Sequence, residues 1–311
     1  MGNTSRREFL KSTVTTACAL GVGGTFGASL TGAGPLSIKK GILLDMLPAN
    51  LSYAERLKLA RDIGFEVLQA PTQPEESKAE DLKKAADSVG IRIDSVMNMD
   101  HWKYPLSSSD PAVVEKSLAG ARTSLRNAHF WGADTVLIVP GVVNPQTSYR
   151  DAYSRSQTSI RKLLPLAEEL KVIIAIEEVW NKFLLSPIEF ATYIDQFQTP
   201  WVRAYFDVGN VQLYGYPADW IRTLGKRIVK LHIKDFTFGH QPDSEKMTAE
   251  WVPLLEGDVD WRAIYLALKE VGFHGTATVE LPGGDEAYLK EVYKRLTMIL
   301  DGTAPVRKKP D

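Results

Sequence analysis

Acidic residues and a histidine stand where four apolar runs of this chain end. Carboxylates and imidazoles are ligands that suit Mn²⁺, Mg²⁺, Co²⁺ or Zn²⁺, and an oxygen-rich set favours Mn²⁺. Carboxylates gathered in a dry pocket repel one another, so a bound cation is the simplest way to keep them ionised. The pattern therefore predicts a divalent-metal site if the fold brings the run ends together. The runs end Val-Ile-Ile-Ala-Ile-Glu177-Glu178, Ala-Tyr-Phe-Asp207, Val-Lys-Leu-His232 and Thr-Ala-Thr-Val-Glu280.

Short β-branched runs alternate with longer segments of helical period, which is typical of parallel strands buried between crossover helices. The pattern predicts eight strand and helix pairs. The predicted strands are 38–44, 67–70, 91–96, 135–139, 172–176, 202–206, 228–233 and 276–281, and the predicted helices are 53–63, 78–89, 112–131, 149–170, 187–196, 217–224, 261–271 and 286–300.

Eight such pairs in one chain predict an α/β fold, a single-domain (β/α)₈ TIM barrel over residues 35–302, followed by a flexible tail at 303–311. A doubly wound open sheet is the alternative, but it usually has a glycine-rich turn after its first strand, and residues 44–48 contain no glycine. In a TIM barrel the active site lies at the carboxyl ends of the strands, so the four run ends should meet there.

Residues 1–34 resemble a twin-arginine signal segment, because Arg6 and Arg7 precede Phe-Leu-Lys and a weakly apolar run rich in Gly, Ala and Thr. We expect export by the twin-arginine machinery to the periplasm. The run lacks the sustained apolar length of a membrane span. A lipid anchor at Cys18 is not expected, since Thr15 stands where a lipobox has an aliphatic residue.

Composition favours small-molecule chemistry. A net charge of −1 over 311 residues gives no general drive toward nucleic acid. Cys18 is the only cysteine, so the predicted barrel has neither an internal disulfide nor a thiolate metal site. The sequence leaves the oligomeric state open.

Five segments in order resemble the xylose isomerase-like sugar isomerases and epimerases, which include hydroxypyruvate isomerase, D-tagatose 3-epimerase and L-ribulose-5-phosphate 3-epimerase. The resemblance covers nearly the whole chain after the signal. It implies that Glu178 rather than Glu177 binds the metal, and strand alternation then predicts that Glu177 faces the helix layer. The segments are Glu178-Val-Trp-Asn-Lys-Phe, Phe206-Asp207-Val-Gly-Asn210, Leu231-His232-Ile-Lys-Asp235, Glu256-Gly-Asp-Val-Asp260 and Thr278-Val-Glu280.

The same resemblance implies that Glu178 and Glu280 move the proton while Asp207 and His232 mainly hold the metal. The predicted function is a metal-dependent isomerase or epimerase of a keto sugar, acting by proton transfer next to a carbonyl. The alternative is a metal-dependent lyase or dehydratase acting on a keto sugar or 3-keto-glycoside, since the same enolate can expel a leaving group.

Substrate contacts are predicted at His101, Asn210 and Lys234. The tagatose-epimerase type has a Glu, a His and an Arg at the positions of Leu184, Asn210 and Phe238, so recognition of the sugar must differ here. A phosphorylated sugar is not expected after export. Two other classes fit less well: a DNA-repair endonuclease needs more than the 5 histidines present, and a non-catalytic barrel would not need both glutamates.

Overall fold

The computed structural model describes residues 36–240 and 247–306. The predicted signal segment at 1–34, with Cys18, and the last residues of the predicted tail lie outside them. No helix in these two ranges is both long and apolar enough to cross a membrane.

Eight parallel strands close into one barrel in which neighbours in space are neighbours in the sequence, apart from an inserted hairpin. The barrel order is β1-β10-β7-β6-β5-β4-β3-β2 and the hairpin is β8-β9. The predicted TIM barrel is confirmed. The strands are β1 (Lys39–Leu43), β2 (Val67–Pro71), β3 (Arg92–Met97), β4 (Thr135–Ile138), β5 (Ile173–Ile176), β6 (Val202–Asp207), β7 (Ile228–Ile233), β8 (Asp235–His240), β9 (Met247–Val252) and β10 (Thr276–Val279).

Helices surround the barrel, and most begin at a side-chain cap. Ser52 and Glu55, for example, form a reciprocal capping box at the first helix, which ends at Gly64. The helices are α1 (Tyr53–Ile63), α2 (Glu76–Val89), α3 (Pro111–Trp131), α4 (Tyr149–Arg161), α5 (Leu164–Leu170), α6 (Pro187–Asp195), α7 (Val208–Val211), α8 (Pro217–Leu224), α9 (Trp261–Val271) and α10 (Glu286–Leu300).

The single helix predicted over 149–170 is wrong, because the structure divides it into α4 and α5. Pro165 has no backbone N–H, and in a continuous helix its ring would press on the carbonyl of Arg161, where α4 ends.

The β8-β9 hairpin follows β7 and was not predicted. Asp235 fixes the base of the hairpin. Its buried carboxylate accepts hydrogen bonds from the backbone N–H groups of Phe236 and Leu255 and from the indole N–H of Trp261, each at 2.9 Å. A Cβ on Gly257 would lie 1.9 Å from Asp235 Oδ1, so only glycine allows the loop to pass this close.

The side chains of β5 alternate between two apolar clusters. Ile174 and Ile176 belong to the large cluster between the strands and the helices. Ala175 belongs to a smaller cluster with Leu137 and Tyr205 of the neighbouring strands β4 and β6, and the Tyr205 ring packs against His232 inside the barrel. This alternation decides which of the residues after β5 points inward.

A polar layer closes the amino-terminal end of the barrel. Buried Lys230 pairs with the buried carboxylate of Asp94 and lies 2.9 Å from Asp134. The hydroxyl of Thr276 donates to Asp94 at 2.6 Å, and Arg92 pairs with the same carboxylate. These groups satisfy one another, and they lie at the end of the barrel opposite the predicted site.

Candidate metal centre

Four side chains converge at the carboxyl-terminal mouth of the barrel. Glu177, Asp207, His232 and Glu280 each place one nitrogen or oxygen so that all four atoms lie within 4.8 Å of one another. Strand pairing produces this convergence: Asp207 is in register with His232 across β6 and β7, and Glu280 directly follows β10, the other neighbour of β7. Three of the four predicted run ends therefore meet as expected.

The fourth member is Glu177, not Glu178. The Oε1 atom of Glu177 lies 2.7 Å from Nδ1 of His232, so the expectation that Glu177 faces the helix layer is wrong. Glu178 is the second residue after β5 and is not a member of the four-residue cluster. It is fully buried, and neither carboxylate oxygen has a hydrogen-bond partner among the described residues.

Burial, together with the nearby carboxylates of Asp207 and Glu177, raises the pKa of Glu178 well above its ordinary value. Glu178 is thus a buried carboxyl group beside the four-residue cluster and not a member of it. The segment resemblance selected it because it is followed by Val-Trp-Asn-Lys-Phe, whereas the alternation of β5 points Ala175 and then Glu177 inward.

His232 is held from two sides. Its Nδ1 faces the carboxylates, at 2.7 Å from Glu177 and 3.3 Å from Glu280, and its Nε2 lies 2.7 Å from Oε1 of Gln69. The ring of Tyr205 packs against it at 4.4 Å between centroids. Burial lowers the pKa of His232, but Glu280 and Glu177 outweigh this and raise it above the ordinary value.

Gln69 was not among the predicted residues. Its one sequence signal is that it is polar within an otherwise apolar strand, Val67-Leu68-Gln69-Ala70. The side chain is 1% exposed, so a buried amide on β2 reaches across the barrel to the predicted metal ligand on β7.

Lys234, predicted to point inward, lies at the cluster. Its ammonium is 2.8 Å from Oδ2 of Asp207 and 2.6 Å from Oε2 of Glu280, and it stands 4.8 Å from the centre of the Trp251 ring. Burial opposes its charge, but the carboxylates of Asp207 and Glu280 dominate and raise the pKa of Lys234. Lys234 is therefore a fixed positive charge beside two of the candidate ligands.

The pKa values of the two carboxylates that share Lys234 are shifted in opposite directions. Burial alone would raise both pKa values. For Glu280 the positive charges of His232 and Lys234 outweigh burial and lower the pKa to about 2. For Asp207 burial dominates over Lys234, and the carboxylates of Glu280 and Glu177 add to it, which raises the pKa to about 7.

The other two predicted substrate contacts differ in position. His101 is half-buried on the loop after β3, with Nδ1 2.9 Å from the carbonyl of Asn98, and it is close enough to Glu177 and Glu280 to feel their charge. The side-chain amide of Asn210 is buried and donates to the backbone carbonyl of Glu178 at 3.1 Å. Asn210 thus supports the strand end, while His101 stands at the mouth.

Two tryptophans form part of the rim. Trp180 and Trp251 stack with centroids 4.8 Å apart, and both retain exposed surface. Phe236 packs edge-on against each ring. The stack lies next to Lys234, so the hairpin contributes an aromatic wall to the mouth.

The residues present fit a divalent cation. Three carboxylates and one imidazole nitrogen converge, which is a mixed oxygen and nitrogen donor set. Oδ2 of Asp207 is buried and makes no hydrogen bond of good geometry, although Lys234 lies beside it. Glu177, Asp207, His232 and Glu280 would hold the ion.

Comparisons with known proteins agree with this fold. The family model described as xylose isomerase-like TIM barrel matches residues 57–297. The chain is 25% identical over 255 residues to L-ribulose-5-phosphate 3-epimerase UlaE of Escherichia coli O1:K1, covering 78% of this chain and 87% of that relative.

Solved structures show the same fold. A D-tagatose 3-epimerase-like protein superimposes with a TM-score of 0.70 at 16% identity, covering 84% of this chain and 98% of the other. A xylose isomerase-like TIM barrel protein from Mycobacterium smegmatis, in complex with magnesium, has a TM-score of 0.64 at 20% identity and covers 86% of this chain and 98% of the other. The resemblance seen in the five sequence segments is thereby confirmed.

Proposed function

The chain belongs to the xylose isomerase-like TIM barrel family, and from that premise we propose that it is a metal-dependent epimerase or isomerase of a keto sugar. Its matched relatives include sugar epimerases, which supports an enzyme of the sugar isomerase and epimerase class. The reaction would move a proton on the carbon beside the carbonyl.

The observation that carries the proposal is the convergence of Glu177, Asp207, His232 and Glu280 within 4.8 Å at the barrel mouth. A bound divalent cation supplies Lewis acidity, which lowers the cost of removing a proton beside a carbonyl. The magnesium in one structural neighbour supports such a cation, and the oxygen-rich ligand set favours Mn²⁺ or Mg²⁺.

Glu177 and Glu280 are the proposed acid and base. Glu177 follows β5 and Glu280 follows β10, with β6 and β7 between them, so the two carboxylates approach the cluster from different sides. A sugar carbon lying between them can lose a proton to one carboxylate and receive one from the other, which inverts that carbon.

Lys234 would hold Glu280 in place. The ammonium is 2.6 Å from Oε2 of Glu280, and this contact fixes the carboxylate and keeps it ionised. The same positive charge would stabilise negative charge that develops on a substrate oxygen. His101, at the mouth, is the proposed contact to a more distant hydroxyl.

An uncharged or oxidised sugar is the proposed substrate class. The twin-arginine pattern at Arg6 and Arg7 supports export to the periplasm, where phosphorylated sugars are poor candidates. The aromatic wall of Trp180 and Trp251 supports a sugar face rather than a phosphate, because stacked indoles offer an apolar surface.

Solvent proton exchange tests the function. The protein is stripped with EDTA, reloaded with Mn²⁺ and incubated in D₂O with a panel of keto sugars and 3-keto-glycosides. We expect deuterium at the carbon beside the carbonyl together with a new epimer or isomer. Glu280→Gln should lower the rate by at least about 100-fold.

Loss of water or of an aglycone in the same experiment would contradict the epimerase and support the lyase alternative. Equal exchange by stripped and reloaded protein would contradict the need for a metal.

A further inference from the structure

A buried glutamine on the far side of the barrel contacts the histidine of the candidate metal centre. Gln69 lies on β2, and β1 and β10 separate that strand from β7, which carries His232. The Gln69 side chain is 1% exposed, and its Oε1 atom is 2.7 Å from Nε2 of His232. This contact therefore crosses the interior of the barrel and does not follow from strand pairing.

The two nitrogens of His232 have different surroundings. Nδ1 faces Glu177 at 2.7 Å, Glu280 at 3.3 Å and Asp207 at 3.7 Å, which are the other three candidate ligands. Within the described residues, the hydrogen-bond partner of Nε2 is the amide oxygen of Gln69. Nδ1 is therefore the nitrogen placed to bind a metal.

An amide oxygen accepts hydrogen bonds and cannot donate one. A hydrogen bond between Gln69 Oε1 and His232 Nε2 thus requires the hydrogen to be on Nε2. In a neutral imidazole this leaves the lone pair on Nδ1, directed at the carboxylates. The partner of a ligating histidine fixes both its tautomer and its ring orientation in this way.

The amide nitrogen of Gln69 is the other polar atom of this side chain. It is buried and has no hydrogen-bond partner among the described residues. Gln69 is one of the residues that line a cavity of about 20 Å³, together with Met97 and Met99. A cavity of this size has room for about one water molecule, which can satisfy a buried N–H.

We propose that Gln69 is a positioning residue, which holds the imidazole of His232 with Nδ1 free to bind the metal. The inference rests on the proposed metal centre and adds a residue from β2 to it. Metal affinity is the property that Gln69 controls, whether or not substrate is present.

Metal binding by the full-length protein, measured by calorimetry with Mn²⁺, tests the proposal. Gln69→Leu removes the acceptor and should weaken Mn²⁺ binding by about 10- to 100-fold. Gln69→Glu keeps an oxygen acceptor and should bind Mn²⁺ at least as tightly as the unchanged protein. Gln146→Leu makes the same change at an exposed position and should leave the affinity as it is.

Rescue by glutamate separates positioning from packing. Glutamate and leucine both disturb a buried site, but only glutamate accepts the hydrogen of Nε2. Circular dichroism and urea unfolding of the metal-free variants confirm that each is folded before titration. Affinity of Gln69→Leu within about twofold of the unchanged protein, or equal weakening by both variants, would overturn the proposal.

Mn²⁺ binding by the unchanged protein distinguishes a failure of the proposed metal centre from a failure of the proposed role of Gln69. If that protein binds no divalent metal, the proposed metal centre fails. If it binds Mn²⁺ and Gln69→Leu binds equally well, only the role of Gln69 fails.

Discussion

Lys234 and a divalent metal would share the same two carboxylates. The ammonium already lies within 2.8 Å of Asp207 and 2.6 Å of Glu280, which are also candidate metal ligands. Two cations in one small buried site repel each other. Metal affinity in this chain therefore depends on the attraction of the ion to three carboxylates and on its repulsion by the Lys234 ammonium.

We expect Lys234→Met to bind Mn²⁺ more tightly, by about tenfold, because the variant removes a positive charge and keeps most of the apolar stem. Turnover should fall at the same time, since Glu280 loses the contact that holds it. Calorimetry and the exchange assay measure the two effects separately. Lys290→Met, at an exposed helix position, is the control. Weaker metal binding by Lys234→Met would show that the lysine supports the site rather than competing with the ion.

The adjacent glutamates after β5 should behave differently. Glu177→Gln removes a charged candidate ligand, and we expect Mn²⁺ affinity to fall by at least about tenfold and turnover by about 100-fold or more. Glu178→Gln keeps the shape of a side chain that lies outside the four-residue cluster and should leave Mn²⁺ affinity within about twofold. Calorimetry on both variants checks this, and the reverse result would restore Glu178 as the ligand.

Residue types at the strand ends predicted a site at the barrel mouth, but they could not decide between the adjacent residues Glu177 and Glu178. The ends of β6, β7 and β10 gave Asp207, His232 and Glu280 directly. On β5 every residue from 172 to 176 is apolar, because both faces of the strand are buried. The sequence therefore has no polar alternation from which to decide whether Glu177 or Glu178 faces inward.

At the scale of the elements, the sequence predicted the helix ends and strands that depend on residues close together in the chain. Gly64 and Gly272 follow α1 and α9 in the sequence, and the eight barrel strands follow the apolar runs. Pro165 was visible in the sequence and should have divided the helix predicted over 149–170. The β8-β9 hairpin was missed because its base is fixed by Asp235, whose partners are up to 26 residues away in the chain.

The hairpin base should be sensitive to a single methyl group. Gly257→Ala would place a Cβ 1.9 Å from Asp235 Oδ1 and 2.6 Å from the carbonyl of Phe236, so the loop must move. We expect a loss of about 1–3 kcal/mol in the free energy of unfolding. Activity should fall as well, because Trp251 and Lys234 are attached to the same hairpin.

Urea unfolding and the exchange assay measure these two effects. Gly132→Ala is a comparison: its φ of 76° strains an alanine, but nothing lies within 4 Å of the added carbon. It should cost about 1 kcal/mol and leave turnover alone. Full stability in Gly257→Ala would contradict the close approach of loop and carboxylate.

Over the part of the molecule that the structure describes, buried charged side chains lie at both ends of the barrel. The amino-terminal layer of Asp94, Lys230 and Thr276 is internally satisfied. The mouth holds three carboxylates and His232, with Lys234 as a fixed positive charge beside them. The carboxylates and the imidazole can together bind a cation. The amino-terminal end of the barrel contributes to stability and the carboxyl-terminal mouth to chemistry, as is general in TIM barrels.

Stability should depend on Asp94 at neutral pH and lose that dependence in acid. Burial raises the pKa of Asp94, but Lys230, Thr276 and Arg92 outweigh it and hold the pKa below its ordinary value of 3.8. The folded state therefore binds a proton less readily than the unfolded state. Asp94 stabilises the fold above about pH 3.8, and this contribution is lost as the pH falls through the folded value.

We expect Asp94→Asn to lower the free energy of unfolding by about 3 kcal/mol at pH 7, because Lys230 loses its buried partner and keeps only the half-exposed carboxylate of Asp134. The gap between the two proteins should narrow below about pH 3.8. Urea unfolding at pH 7, 5 and 3 measures it. A gap that is the same at all three values would show that packing, not charge, accounts for the loss.

We propose that Glu177, Asp207, His232 and Glu280 hold one divalent metal at the barrel mouth. Anomalous diffraction from a crystal of the protein loaded with Mn²⁺ tests it most directly. We expect one anomalous peak within bonding distance of Nδ1 of His232 and of an oxygen of each of the three carboxylates. Glu178 should not coordinate the ion, and Lys234 should have moved away from Asp207. A peak coordinated by Glu178 in place of Glu177, or no peak at the mouth while Lys234 keeps both ion pairs, would contradict it.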